Sequence, residues 1–395
     1  MNLYRYLLRP LLFRIDAEPM HNLAIRLARM ASGFPRLCDA LAARNTPHDE
    51  RLEIDIGGLH FATPIGLAAG FDKNARAARL LSALGFGHIE VGSVSAMPSP
   101  GNPKPRLFRI PADRGLVVNY GLPNEGANRI AERLRRVRLR APLHAPLGIN
   151  IVATNRRLVN AELPDHVIIG DYVQSVRWLQ DRAEYLCLNL SCPNTREGRD
   201  FFRDPARLRR LLEALEFVEK PLFLKVAPFA TVEEIDAFLA AVEPATAVIG
   251  FSVNLPAGKP TGLKTARRKL DHMPGAVSGK PAEAEANRTI RELYRRMDRR
   301  RYRIIGSGGV FTAEDAYRKI RLGASLVQVL TALVYEGPGV VRRINQGLAQ
   351  LLARDGFARV ADAVGVDARE PGMEPAFGDT RAPGVVPIHA GVRTS

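Results

Sequence analysis

Residues 185–195 read YLCLNLSCPNT. The segment begins as an unbroken apolar run and turns polar from Asn189, with Ser191, Cys192, Asn194 and Thr195 following. Near-continuous apolar character suits a parallel strand buried on both faces. A cluster of small polar groups at its end marks the end that opens on a site. The same shape recurs along the chain, in PIGLAAGF (64–71), HIEVGSVS (88–95), PLGINIV (146–152), PLFLKVA (221–227), AVIGFSVN (247–254), RIIGSGGV (303–310) and SLVQVLT (325–331). With 185–191 that makes eight runs. Helical stretches separate most of them, among them RDPARLRRLLEALEF, TVEEIDAFLAAVE and TAEDAYRKIRLG. Eight βα units predict an α/β chain folded as a (β/α)8 TIM barrel, more than an open doubly wound sheet.

In such a barrel the active site gathers at the C-terminal ends of the strands. The polar exceptions fall there: Asp72, Lys73 and Asn74 after the first run, then Asn150, then Asn189 to Asn194. Lys225, Ser252 with Asn254, and Gly306 to Gly309 follow on later runs. One buried Asn or Lys is usually a satisfied polar group; convergence at one end of a barrel is a site. GSGG at 306–309, before a helix starting near Thr312, reads as a cradle of backbone amides for an anion. SGK at 278–280 can add another amide. Alone, GSGG is equally a tight turn; after strand seven of a barrel it reads as a phosphate site. Lys225, flanked by apolar residues in LFLKVAP, needs an anion, a Schiff base or neutrality. Together these predict a phosphorylated cofactor beside a polar, carboxylated substrate. There is no His and carboxylate cluster to hold a metal.

Cys192 is a candidate base or nucleophile, because it sits among polar residues, whereas Cys187 in the apolar run reads as filler. Three cysteines in 395 residues make no metal or disulfide framework and fit a reducing compartment. A net charge of +16 calls for an anionic partner or a solvated basic face. The arginines are dispersed and no aromatic-rich basic motif accompanies them, which argues against nucleic acid.

The chain divides into a helical extension (1–45), the barrel (46–355) and a Gly- and Pro-rich tail (356–395) expected to be mobile. In the extension, Leu8, Leu11, Leu12 and Ile15 recur at helical spacing; MHNLAIRLARMASG follows, with Leu23, Ile25, Leu27 and Met30 apolar, and Gly33 can stop this second helix. Two readings are open: short amphipathic helices lying in a membrane interface, or a helical hairpin docked on the barrel. Arg5, Arg9 and Arg14 favour the membrane surface.

With GLAAGFDKN, IEVGSVS, GNPKPRLFRI, LGINI, NLSCPNT, LKVAP, VSGKP, IIGSGGV and GASLVQ in place, residues 1–350 resemble the dihydroorotate dehydrogenase family. The extension is similar to that of its membrane-associated, quinone-reducing class. The resemblance implies an FMN-containing barrel that oxidises dihydroorotate to orotate in pyrimidine biosynthesis. It implies peripheral attachment to the cytoplasmic side of a membrane, with a quinone as acceptor. It assigns FMN to Ala69, Gly70, Ser93, Asn150, Asn189, Lys225, Gly279, Gly309, Leu330 and Thr331. Lys73, Asn119, Asn189 and Asn194 fall to the substrate, with Ser252 and Asn254 at the strand-six position. Cys192 stands at the catalytic base, and His21 and Arg109 match residues of the quinone tunnel.

The departures are specific. The quinone class normally has serine where this chain has Cys192. Ala75 follows DKN where glycine is usual. The substrate loop is shortened to NYGLPN (119–124), FSVN replaces the strand-six Asn-Thr pair, and Leu330 stands in place of a tyrosine. They fall mostly on the substrate and acceptor sides. A related flavin enzyme with another small cyclic or unsaturated substrate is therefore the second reading.

Overall fold

The computed structural model describes residues 4–156, 163–191 and 201–369. Eight parallel strands close into a barrel in chain order: β1 (Ile65–Leu67), β2 (His88–Val94), β3 (Leu147–Ile151), β4 (Tyr185–Asn189), β5 (Leu222–Val226), β6 (Val248–Val253), β7 (Arg303–Gly306) and β8 (Leu326–Val329). All eight lie within the predicted runs. Every residue of β3, β4 and β5 is buried, as strands covered on both faces require. Glycines make room for rings on neighbouring strands. A Cβ at Gly66 would lie 2.1 Å from the His88 ring, and one at Gly148 would lie 2.1 Å from Tyr185.

The helices that connect and cover the strands include α4 (Ala127–Arg140), α5 (Asp165–Leu179), α6 (Pro205–Glu213), α7 (Val232–Val242), α8 (Glu283–Arg296) and α9 (Ala313–Arg321). Short α10 (Thr331–Glu336) and α11 (Val340–Arg354) close the circuit. Two further pieces stand outside the barrel. A hairpin pairs Ile54–Ile56 with Leu59–Phe61, and Phe61 packs edge-on to His88 at the start of β2. A three-stranded antiparallel sheet joins Leu107–Ile110, Gly115–Val118 and Ala276–Gly279.

The extension has one helix more than its periodicity predicts. A turn at Tyr4–Leu8 runs into Arg9–Leu12, then come α1 (Ala17–Ser32) and α2 (Pro35–Asn45); α3 (Ala78–Ser82) belongs to the barrel. Gly33 does stop α1, and Pro35 opens α2. Cys38 and Ala42 of α2 pack on Leu80 and Ala83 at α3. The extension is docked and also exposed. Tyr4 donates to the Val334 carbonyl at 2.7 Å, and Arg109 to the Ile15 carbonyl at 2.6 Å. Leu7, Leu8, Leu11, Ile15, Leu23, Leu27, Met30, Phe34 and Leu37 remain exposed to solvent. The two sequence readings are thus not exclusive.

The barrel unit runs past residue 355. Phe357, Val360, Ala363, Val364 and Ala368 are buried in the core. Tyr294 donates to the Val364 carbonyl, and Arg321 pairs with Asp367 at 2.6 Å. Residues 356–369, assigned to the tail by composition, therefore pack on the barrel; residues 370–395 lie outside the described residues.

Candidate active site

The C-terminal strand ends open into one cavity of about 660 Å³ that continues to the helical extension. Its two ends differ. Towards the barrel it is lined by Ser93, Asn189, Lys225, Asn254 and the Ser307–Gly309 loop. Towards the extension it is lined by Leu12, Phe13, Ala17, Met20, Ala24 and Ala28. His21, Phe71, Lys73 and Tyr120 line it as well.

At the polar end the side chains form a single chain of hydrogen bonds. Asn254 Nδ2 approaches Asn189 Oδ1 at 3.5 Å and Ser191 Oγ at 3.3 Å. Asn189 Nδ2 donates to Ser93 Oγ at 3.1 Å, and Ser93 donates to Asn150 Oδ1. Asn150 Nδ2 ends the chain on Glu90 Oε1 at 2.9 Å. Lys225 Nζ stands 3.8 Å from the same oxygen, with both side chains buried.

The glycine loop lies on the cavity with Gly279, Leu330 and Thr331. Gly279 and Gly309 have φ of 89° and 79°, where only glycine is at ease. A Cβ at Gly309 would also sit 2.4 Å from Glu283 Cβ. At the start of α9 the Asp315 carboxylate accepts from the amides of Phe311 and Thr312, and the Thr312 hydroxyl accepts from the Asp315 amide. Lys280 pairs with Asp315 and Glu283 at 2.6 Å each.

The DKN stretch divides its labour. The buried Asp72 carboxylate accepts from the amides of Arg76 and Ala77, so it shapes the loop. Asn74 accepts from the Glu125 amide. Lys73 alone reaches the cavity, where its ammonium donates to the Gly70 carbonyl at 2.9 Å and sits 3.7 Å from the centre of the Tyr120 ring. Burial and the nearby Arg106 charge lower its pKa to about 8. Ala75, which follows DKN, takes a left-handed φ of 52°. His21 meets Phe71 edge-on with ring centres 5.4 Å apart, and burial first, then the Lys73 charge, hold its pKa at about 3. It is neutral at any ordinary pH. Arg109 lies over the Phe13 ring at 4.6 Å.

Of the residues singled out from sequence, Ala69, Gly70, Lys73, Ser93, Asn189, Lys225, Asn254, Gly279, Gly309, Leu330, Thr331, His21 and Arg109 all line this cavity. Asn150 stands behind Ser93. Asn119 does not line it, and its Oδ1 accepts from Asn102 at 3.0 Å. Ser252 does not line it either, and its buried hydroxyl finds no hydrogen-bond partner among the described residues. Cys192 and Asn194 lie outside the described residues. Sequence reading missed Glu90, Gln328 and Tyr120, although a lone Glu in HIEVGSVS and a lone Gln in SLVQVLT carry the same signal as Lys225.

The family model for dihydroorotate dehydrogenase matches residues 51–352. A curated relative, the dihydroorotate dehydrogenase (quinone) of Thermobifida fusca, is 39% identical over 381 residues, covering 94% of this chain and 98% of its own. The protein of the same name from Acidithiobacillus ferrooxidans is 40% identical over 377 residues, covering 91% and 98%. A crystal structure of DHODH from Eimeria tenella in complex with ferulenol is similar with a TM-score of 0.76 and 32% identity, over 90% of this chain and 96% of that one.

Proposed function

Because the chain belongs to the dihydroorotate dehydrogenase family, we propose that it oxidises dihydroorotate to orotate with FMN and passes the electrons to a quinone. The observation that carries this reading is the two-ended cavity: polar at the strand ends, apolar beneath the extension, and continuous between them. A cavity of this size suits ligands of the cofactor class. The residues fit FMN. Gly279, Gly309, Leu330 and Thr331 would hold the phosphate on backbone amides. Ala69, Gly70, Ser93, Asn189 and Lys225 would line the ring system, with Asn150 behind Ser93. Gln328, at the same end, keeps a buried Oε1 with no partner among the described residues, as a site awaiting a donor does.

Bound FMN supplies a two-electron acceptor. Cys192 would take the proton from C5 of dihydroorotate while the hydride, two electrons and a second proton, leaves C6, so that the substrate loses two electrons and two protons in all. In the sequence it follows Asn189, which lines the polar end, by three residues. Lys73 binds the substrate carboxylate, with Asn189, Asn194 and Asn254 as amide partners. Lys225 offsets negative charge that develops at the cofactor. His21 and Arg109 line the apolar arm that takes the quinone.

The exposed apolar row of the extension, with Arg5, Arg9 and Arg14 among it, supports peripheral attachment to the cytoplasmic side of a membrane. No helix among the described residues is long and apolar enough to cross one. A second reading, a related flavin enzyme for another small cyclic or unsaturated substrate, draws on Asn119, whose amide is engaged by Asn102, and on Tyr120 over Lys73. Rescue of a pyrimidine auxotroph that lacks the enzyme separates the two. Growth without added pyrimidine supports the first, and failure by a folded, yellow protein supports the second.

A further inference from the structure

Glu90 lies on β2 with no exposure at all, and it does not line the cavity. A carboxylate in that position needs donors, and it has four neighbours that supply them. Asn150 Nδ2 and Gln328 Nε2 each donate to it at 2.9 Å, Tyr185 donates from its hydroxyl at 3.4 Å, and Lys225 Nζ lies 3.8 Å away. Two of these four, Lys225 and Gln328, reach past it to line the polar end of the cavity.

A carboxylate only accepts, and that fact sets a direction. Asn150 must turn its amide nitrogen to Glu90, so its oxygen faces Ser93. Ser93 then donates to that oxygen and accepts from Asn189, whose own oxygen is left to accept from Asn254 and the Ser191 amide. Glu90 thus fixes the sense of every amide along the wall. It also fixes Lys225: the lysine keeps a buried countercharge on the side away from the cavity. In a site closed to water, a fixed negative charge behind the wall is weakly screened.

Resting on the reading that FMN occupies the polar end, we propose that Glu90 is the positioning residue of this wall. It orients Lys225 and the Asn150–Ser93–Asn189 chain, and its buried charge holds down the reduction potential of the bound flavin. Adding electrons to the flavin adds negative charge, which Glu90 opposes and Lys225 favours. Removing Glu90's charge while Lys225 keeps its own makes reduction easier.

The test is the midpoint potential of the FMN-loaded full chain, compared with that of Glu90→Gln at the same pH. Glu90→Gln raises the potential by the equivalent of at least tenfold in the two-electron equilibrium, about 30 mV. A yellow Glu90→Gln protein with an unchanged or lower potential overturns the proposal alone. A wild-type chain that takes up no FMN overturns the reading of the site, and the proposal with it. If Glu90→Gln does not accumulate folded, Tyr185→Phe carries the test. It removes one donor from the carboxylate, leaves its field less neutralised and lowers the potential; no change overturns the proposal.

Discussion

The Arg106 guanidinium donates to the Glu18 carboxylate from Nη2 at 2.9 Å and from Nε at 3.1 Å, and both side chains are buried. Arg106 also donates to the carbonyls of Pro100 and Asn102. One pair therefore clamps α1 to the loop that precedes the Leu107–Ile110 strand. Removing one partner of a buried pair leaves the other uncompensated, at a cost of roughly 3–5 kcal/mol. Glu18→Gln is expected to lower the urea midpoint accordingly. It should also lower the Lys73 pKa further, since Glu18 is among the charges that raise it.

Lys73 makes a pH prediction of its own. Burial and Arg106 bring its pKa from 10.5 down to about 8. The ammonium is the form that binds a carboxylate. In steady-state assays kcat/KM for dihydroorotate should therefore be level below pH of about 8 and fall as pH rises through it. Lys73→Met should lose that limb and cost about 10- to 100-fold in kcat/KM, the worth of a charged hydrogen bond. A wild-type profile with no break near that pH would remove Lys73 from the substrate.

His21 sits on the other arm. With a pKa of about 3 it stays neutral, so it contributes no titration to the quinone half-reaction near neutrality. His21→Ala should raise KM for a quinone, by roughly tenfold for about 1.4 kcal/mol of lost contact. Stopped-flow reduction of the flavin by dihydroorotate should be unchanged. Equal loss in both half-reactions would place His21 with the substrate instead.

Leu27 and Met30 project from α1 into solvent, 56% and 67% exposed. Charges there should leave the fold intact and abolish attachment. Leu27→Glu with Met30→Glu is expected to stay in the supernatant when sedimented with anionic vesicles, while the wild type pellets. Flavin reduction by substrate should be spared. Co-sedimentation of the double variant would move the membrane contact elsewhere.

Much of this was legible in the residues because parallel strands covered on both faces read as apolar runs with no alternation. Lys225 stood out inside such a run for the same reason. Glu90 carried an equal signal but sits in the middle of β2, below the strand end where a site is sought. The antiparallel pieces were not legible: Ile54–Ile56 and Leu59–Phe61 are three residues each, too short for a pattern. Asn119 fits a substrate-loop motif, yet its side chain turns to Asn102, a choice of tertiary packing that spacing cannot report. The end of the barrel unit was hidden because Phe357, Val360 and Val364 are sparse among glycines and charges.

The most direct test mixes the FMN-loaded protein with dihydroorotate in the absence of oxygen and follows the flavin absorbance. The wild type should bleach within a turnover. Cys192→Ala should keep its flavin and bleach about 10²- to 10⁴-fold more slowly, the usual worth of a positioned base. A loaded wild-type protein that stays yellow would contradict the account at its centre.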